Sequence, residues 1–317
     1  MTYDPDTKAL LDMIRMAGRP AMETLSASEA RDAFNAGRAV LSPPPEDVAE
    51  VRDTEVPGPL GPVPVRLYRP AGTAPSDVLP VLIYFHGGGW VVGDLNSHDV
   101  PCRRYANAAH CRVVSVDYRM APEHVFPAAV TDCAAVTQWT FDNAAALGFD
   151  PTKIAVGGDS AGGNLAAVMA LMARDGTLPK LAFQLLIYPA TDMTMTTVSS
   201  TAIGPGVPLT STTMKWFIDH YMKTDRTDWR ASPLRVPSVA GVAPALVLTC
   251  AHDPLRDEGI AYAHRLEREG VRVVHLHFSD QIHGFVGMGR MIRAADQAMD
   301  MAARAMKPAL WPPGPPV

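Results

Sequence analysis

Seven short runs rich in β-branched and aromatic residues, at 63–68, 81–85, 112–116, 154–156, 181–187, 245–250 and 271–278, alternate with helix-like stretches along the chain. A strand followed by a helix and then another strand returns beside the first in parallel, because no tight turn makes that connection. The alternation therefore predicts an α/β fold with a mostly parallel sheet. Val81-Leu-Ile-Tyr-Phe85 has no polar alternation, as a central strand covered on both faces requires. The first two strands, near 50–56 and 63–68, are separated by the turn-rich Pro57-Gly-Pro-Leu-Gly-Pro62 and are expected as an antiparallel edge hairpin.

Residues 1–45 contain two helical patterns, 7–16 and 28–36, the second with Ser28 as its expected N-cap, before Ser42-Pro-Pro-Pro45 breaks the pattern. More than fifty residues separate the strand ending at Tyr188 from the one starting near Ala245, far beyond an ordinary crossover, so a segment is inserted there. Within it, 210–223 reads as a helix bearing Met214, Trp216, Phe217, Tyr221 and Met222. With the N-terminal helices it is expected to form a lid over the carboxyl ends of the strands, where open α/β sheets bind ligands. The expected organisation is an N-terminal cap at 1–45, a core at 46–188, an inserted cap segment at 189–232 and the rest of the core at 233–317. The tail, Trp311-Pro-Pro-Gly-Pro-Pro-Val317, lacks the backbone donors of a helix or central strand and is expected to be irregular.

The chain is long enough, at 317 residues, to bury a continuous core without a metal or disulfides. Its net charge of -5 comes with no basic run, which argues against nucleic acid or an anionic membrane and for a small, neutral partner. No apolar run approaches the length of a membrane span, and the acidic start has no apolar signal segment. A cytoplasmic location and free, buried thiols at Cys102, Cys111, Cys133 and Cys250 are the matching expectations. Sixteen methionines are many, and those in the lid segments suit an adaptable apolar pocket as well as plain core filling.

Gly158-Asp-Ser160-Ala-Gly162 fits G-x-S-x-G, a pattern that this chain's own Gly and Ser frequencies produce by chance only about 0.07 times. It lies between the strand-like Ile154-Ala-Val156 and the helix-like 164–173, the strand, turn and helix of a nucleophile elbow. A serine hydroxyl is a weak nucleophile at neutral pH, so a base must take its proton and a third group must orient that base. Of ten histidines, His264, His275, His277 and His283 follow the elbow and the acid loop. His264 belongs to a helical stretch, and His275 and His277 alternate within a strand, on one sheet face. His283, directly after the last strand and before Gly284, is left as the base. For the acid, Asp253 comes first in the loop after 245–250 and is favoured over Asp257, which with Glu258 starts the next helix; Asp280 is a weaker reserve. His252 beside it reads as a solvated loop residue.

Attack on a carbonyl concentrates charge on its oxygen, which calls for preorganised N–H donors. His86-Gly-Gly-Gly-Trp90 follows the buried strand, so the N–H groups of Gly88, Gly89 and Ala161 are expected to converge on one oxygen. Trp90 and Asp159, beside those donors and the serine, and Met214 on the inserted helix are expected to face the substrate.

On His86-Gly-Gly-Gly89, Gly158-Asp-Ser-Ala-Gly-Gly-Asn164, Asp117-Tyr-Arg-Met-Ala-Pro-Glu123, Asp253-Pro-Leu-Arg-Asp-Glu-Gly259 and His283-Gly-Phe285, the chain resembles the hormone-sensitive lipase family of α/β-hydrolases from about residue 45 to 305. The resemblance implies an eight-stranded sheet with helices on both faces under a helical cap, and hydrolysis of short acyl esters without metal or cofactor. It assigns Asp253 to the triad, sets Tyr188 along the pocket, and makes Arg119 and Glu123 an ion-paired brace beneath the oxyanion loop. It also brings a homodimer through the last strand, 271–278, as an expectation. An amidase or peptidase would share the same triad; a ligand-binding receptor on this fold would lack one of its residues.

Overall fold

Residues 2–312 are described by a computed structural model. Eight strands, β1 (Glu50–Val56), β2 (Val63–Arg69), β3 (Leu79–Phe85), β4 (Arg112–Val116), β5 (Phe149–Asp159), β6 (Phe183–Ile187), β7 (Ala245–His252) and β8 (Val273–Ile282), form one sheet. Its order is β1-β2-β4-β3-β5-β6-β7-β8. The expected hairpin is present, with β1 antiparallel to β2 and β2 to β4; every later pair is parallel.

The parallel strands follow from the helices between them: α3 (Asp99–Ala109), α4 (Ala128–Asp142), α5 (Ala144–Leu147), α6 (Ala161–Arg174), α9 (Arg256–Arg268) and α10 (Ala294–Leu310). All seven residues of β3 are buried. Val81, Ile83 and Phe85 point to one apolar cluster, shared with α4, α6 and α9, while Leu82 and Tyr84 point to another, shared with α3 and α10. That two-residue period explains why the run has no polar position: both faces are covered. Each fully buried Val, Leu or Ile of this kind contributes about 1.5–3 kcal/mol relative to exposure.

The remaining helices are α1 (Pro5–Ala17) and α2 (Ala27–Leu41) at the start, and α7 (Val198–Ala202) and α8 (Ser211–Tyr221) in the insertion. The N-cap of α2 is Ser26 rather than Ser28, through a capping box in which the Glu29 N–H donates to Ser26 Oγ and the Ser26 N–H to the Glu29 carboxylate. The reason is spacing: Ser26 has Glu29 three residues on, whereas Ser28 has Arg31. Among the described residues no helix is long and apolar enough to cross a membrane. All four cysteines are free and buried. The proline-rich tail lies, from residue 313 onward, outside the described residues.

Candidate active site

The sheet carries three loops to one end. β5 stops at Asp159 and α6 begins at Ala161, so Ser160 makes the whole turn alone, at φ 57° and ψ -116°. Few non-glycine residues adopt such a backbone, and the turn brings chain segments into close contact. Gly162 is required there, because a Cβ at that position would fall on the Phe85 carbonyl oxygen at the end of β3.

β7 runs to His252, which puts Asp253 first in its loop, and β8 continues to Ile282, which puts His283 directly at its end. His283 Nε2 lies 2.9 Å from Ser160 Oγ, and His283 Nδ1 lies 2.8 Å from Asp253 Oδ2. Asp253 is fully buried; its other carboxylate oxygen accepts the Leu255 N–H at 2.8 Å, and the Cys250 thiol approaches Oδ2 at 3.5 Å. A carboxylate is only an acceptor, so Nδ1 carries the imidazole proton and Nε2 is free to accept from the serine.

The loop after β3 supplies donors. Gly88 and Gly89 have φ of 124° and 58°, and among the described residues neither N–H has an acceptor within the chain. A Cβ on Gly89 would run into the Phe217 ring. Ala161, first in α6, has one of the N–H groups that a helix N-terminus leaves unpaired. Together with Ser160 and His283, Gly88 and Gly89 line a cavity of about 200 Å³.

A family model described as alpha/beta hydrolase fold matches residues 82–287. The chain belongs to the alpha/beta hydrolases. Its relatives place it in the hormone-sensitive-lipase-like branch. It is 40% identical to the carboxylic ester hydrolase LipN of Mycobacterium tuberculosis over 90% of this chain and 78% of that one. It is 38% identical to an ethyl acetate hydrolase of Pseudomonas putida, over 97% and 99% of the two chains. The structure of a serine-to-alanine mutant of an alpha/beta hydrolase enzyme from the metagenome of Lake Arreo, Spain, matches with a TM-score of 0.93 at 43% identity, covering 96% of this chain and 98% of that one.

Around the hydrolase's cavity, some expectations need correction. Met214 lines it, with Phe217 from α8, Phe34 and Leu41 from α2, and Ile14 from α1. Trp90 does not: it is fully buried and stacks on Tyr221, ring centroids 4.6 Å apart, bracing the glycine loop against α8. Tyr188 does not line the cavity either. Its ring packs against the His283 imidazole at 4.6 Å and holds that ring from behind. Asp159 borders the cavity, but its carboxylate turns inward and accepts from the Tyr84 hydroxyl (2.9 Å) and the Gly87 N–H (3.0 Å), with His98 Nε2 at 3.2 Å. Burial works to raise its pKa, yet the attraction of His98, Arg38 and these hydrogen bonds outweighs that and lowers it. The charged carboxylate thus ties the Ser160 turn to the glycine loop.

The brace beneath that loop is real but differently paired. Arg119 binds Asp132 (2.5 Å), while Glu123 pairs with Arg31 of α2 (2.6 Å), whose Nε also donates to the Val91 carbonyl. The Arg31 guanidinium holds the Glu123 carboxyl down at about 2. His252 is not a solvated loop residue: it ends β7 and packs on Tyr3, ring centroids 4.0 Å apart. His275 and His277 share a face as expected, each 2.9 Å from Thr249 Oγ1.

His98 escaped the sequence reading, and Glu258 was read only as a carboxylate at a helix start. His98 is a buried contact of Asp159, reached across sixty-one positions, and no local motif announces it. Glu258, at the start of α9, is buried and accepts the N–H groups of Thr191 (2.6 Å) and Asp192 (3.1 Å), pinning the start of the inserted segment. Burial raises its pKa.

Proposed function

We propose that this carboxylic ester hydrolase acts on short-to-medium acyl esters through an acyl-enzyme formed on Ser160. The reading is supported above all by the unbroken row Ser160–His283–Asp253, which opens into an apolar cavity with free backbone N–H groups on its wall. Ser160 Oγ attacks the ester carbonyl as His283 Nε2 takes its proton. The Gly88, Gly89 and Ala161 N–H groups receive the developing oxyanion, each such donor being worth about 10²–10³ in rate. Collapse expels the alcohol, which takes the proton from His283. Water, deprotonated by His283, then attacks the acyl-enzyme, and the reverse collapse frees Ser160 and the acid. Asp253 remains ionised and stabilises the imidazolium in both halves.

The N-terminal helices and the inserted segment act as the cap that closes the cavity. Side chains from α1, α2 and α8 limit its depth, which favours small acyl groups. A series of 4-nitrophenyl esters from acetyl to palmitoyl tests this reading: kcat/KM is expected to be highest between butanoyl and hexanoyl and to have fallen by decanoyl. A maximum at palmitoyl would contradict it.

A further inference from the structure

One cation interrupts the apolar wall of the cavity. Arg38, near the end of α2, extends between Asp159 and the 3-10 turn Phe285–Gly287, and its side chain is only 12% exposed. It is held firmly there. The guanidinium lies over the Phe34 ring, 5.2 Å from its centroid, and a Cβ on Gly287 would collide with Nη1.

A guanidinium has five N–H donors and keeps its charge at any pH the protein meets. Those of Arg38 are poorly matched. Nη2 has His98 Nε2 at 3.4 Å and an Asp159 oxygen at 3.8 Å, Nε is buried with no partner, and Nη1 makes no hydrogen bond among the described residues. Neither neighbour fills the gap. His98 Nε2 is also within reach of the Gly87 N–H (3.3 Å) and of Asp159, and one ring nitrogen cannot serve all three. The Asp159 carboxylate is already held by Tyr84, Gly87 and His98. The charge of Arg38 is balanced in part by Asp159, but N–H donors left unpaired in an apolar pocket are costly unless a ligand completes them.

Resting on the ester-hydrolase reading, we propose that Arg38 is a specificity-determining residue that selects esters bearing a second, anionic oxygen group, a carboxylate a few bonds from the scissile ester. Such a carboxylate comes from either side of the ester: the acyl side in hemiesters of short dicarboxylic acids, or the alcohol side in acyl esters of short hydroxy acids. The planar fork of the guanidinium suits a carboxylate in both cases.

Two matched pairs separate these sources. Ethyl hemisuccinate is compared with ethyl 4-methylpentanoate, and 3-acetoxypropanoate with 3-methylbutyl acetate; within each pair an isopropyl group replaces the carboxylate. For the native enzyme and Arg38→Met, the readout is the ratio of kcat/KM for the charged ester to that for its neutral counterpart. In at least one pair the ratio is expected to fall about tenfold or more in the variant, chiefly through KM of the charged ester. Arg38→Lys should recover part of it. If Arg38→Met does not fold, Arg38→Gln carries the same expectation. The native enzyme alone gives a further check, since in one pair it should hydrolyse the charged ester at least as well as the neutral one. Equal ratios in native and variant for both pairs, or a native preference of tenfold or more for the neutral ester in both, would overturn the proposal. Failure of the native enzyme on all four esters would instead overturn the hydrolase reading itself.

Discussion

Ser160 occupies a backbone conformation, φ 57° and ψ -116°, that most side chains avoid, and the surrounding structure must hold it there. Its N–H donates to the Ile187 carbonyl at 2.8 Å and its carbonyl accepts from the Asn164 and Ala190 N–H groups, so the strained residue is anchored at both ends. Asp253 is the other tightly held residue, buried with one oxygen for Leu255 and one for His283. Asp253→Asn would preserve the shape while offering an amide where the imidazole proton needs an acceptor, favouring the wrong tautomer. A loss of about 10⁴ in kcat is expected with the fold intact by circular dichroism, the size recorded for the corresponding change in another serine hydrolase. A loss below tenfold would mean that Asp253 does not orient His283. The positions of Ser160, Asp253 and His283 were readable along the chain because each depends on where a strand ends and a loop begins. Trp90 and Tyr188 were not, because the direction a side chain takes after a turn depends on packing with Tyr221 and His283, both remote in sequence.

Among the elements, α2 connects most directly to the site. It contributes Phe34, Arg38 and Leu41 to the cavity, and its Arg31 ties the Val91 carbonyl and Glu123 beneath the glycine loop. Its start depends on the Ser26–Glu29 capping box. Ser26→Ala should therefore cost about 1 kcal/mol of stability, seen as a lower chemical-denaturation midpoint, while Ser28→Ala should cost much less. Equal losses from the two would contradict Ser26 as the cap. The strands were predicted more accurately than this helix end, because their apolar runs register the two packed faces directly. The extensions of β5 back to Phe149 and of β8 on to Ile282 were hidden, since the added residues are polar or mixed and, past a register shift, only Phe149 and Ile282 among them pair with the neighbouring strand.

At the scale of the whole molecule, the fold brings together residues 160, 253 and 283 from three separate loops on the parallel half of one sheet, and sets the glycine loop of β3 beside them. The order of strands, with β3 next to β5 and β7 next to β8, makes the constellation possible; no local pattern contains it. The braces that hold it, Arg31–Glu123 and His98–Asp159, span ninety-two and sixty-one positions and were invisible before the fold. The central claim is that this assembly works through an acyl group carried on Ser160. Rapid acid quenching during turnover of an activated butanoyl ester, followed by peptide mass spectrometry, tests it directly. The native enzyme should show a butanoyl adduct on the peptide containing Ser160, and Ser160→Ala should show no adduct and only background turnover. An adduct on another residue, or turnover retained in Ser160→Ala, would contradict the account.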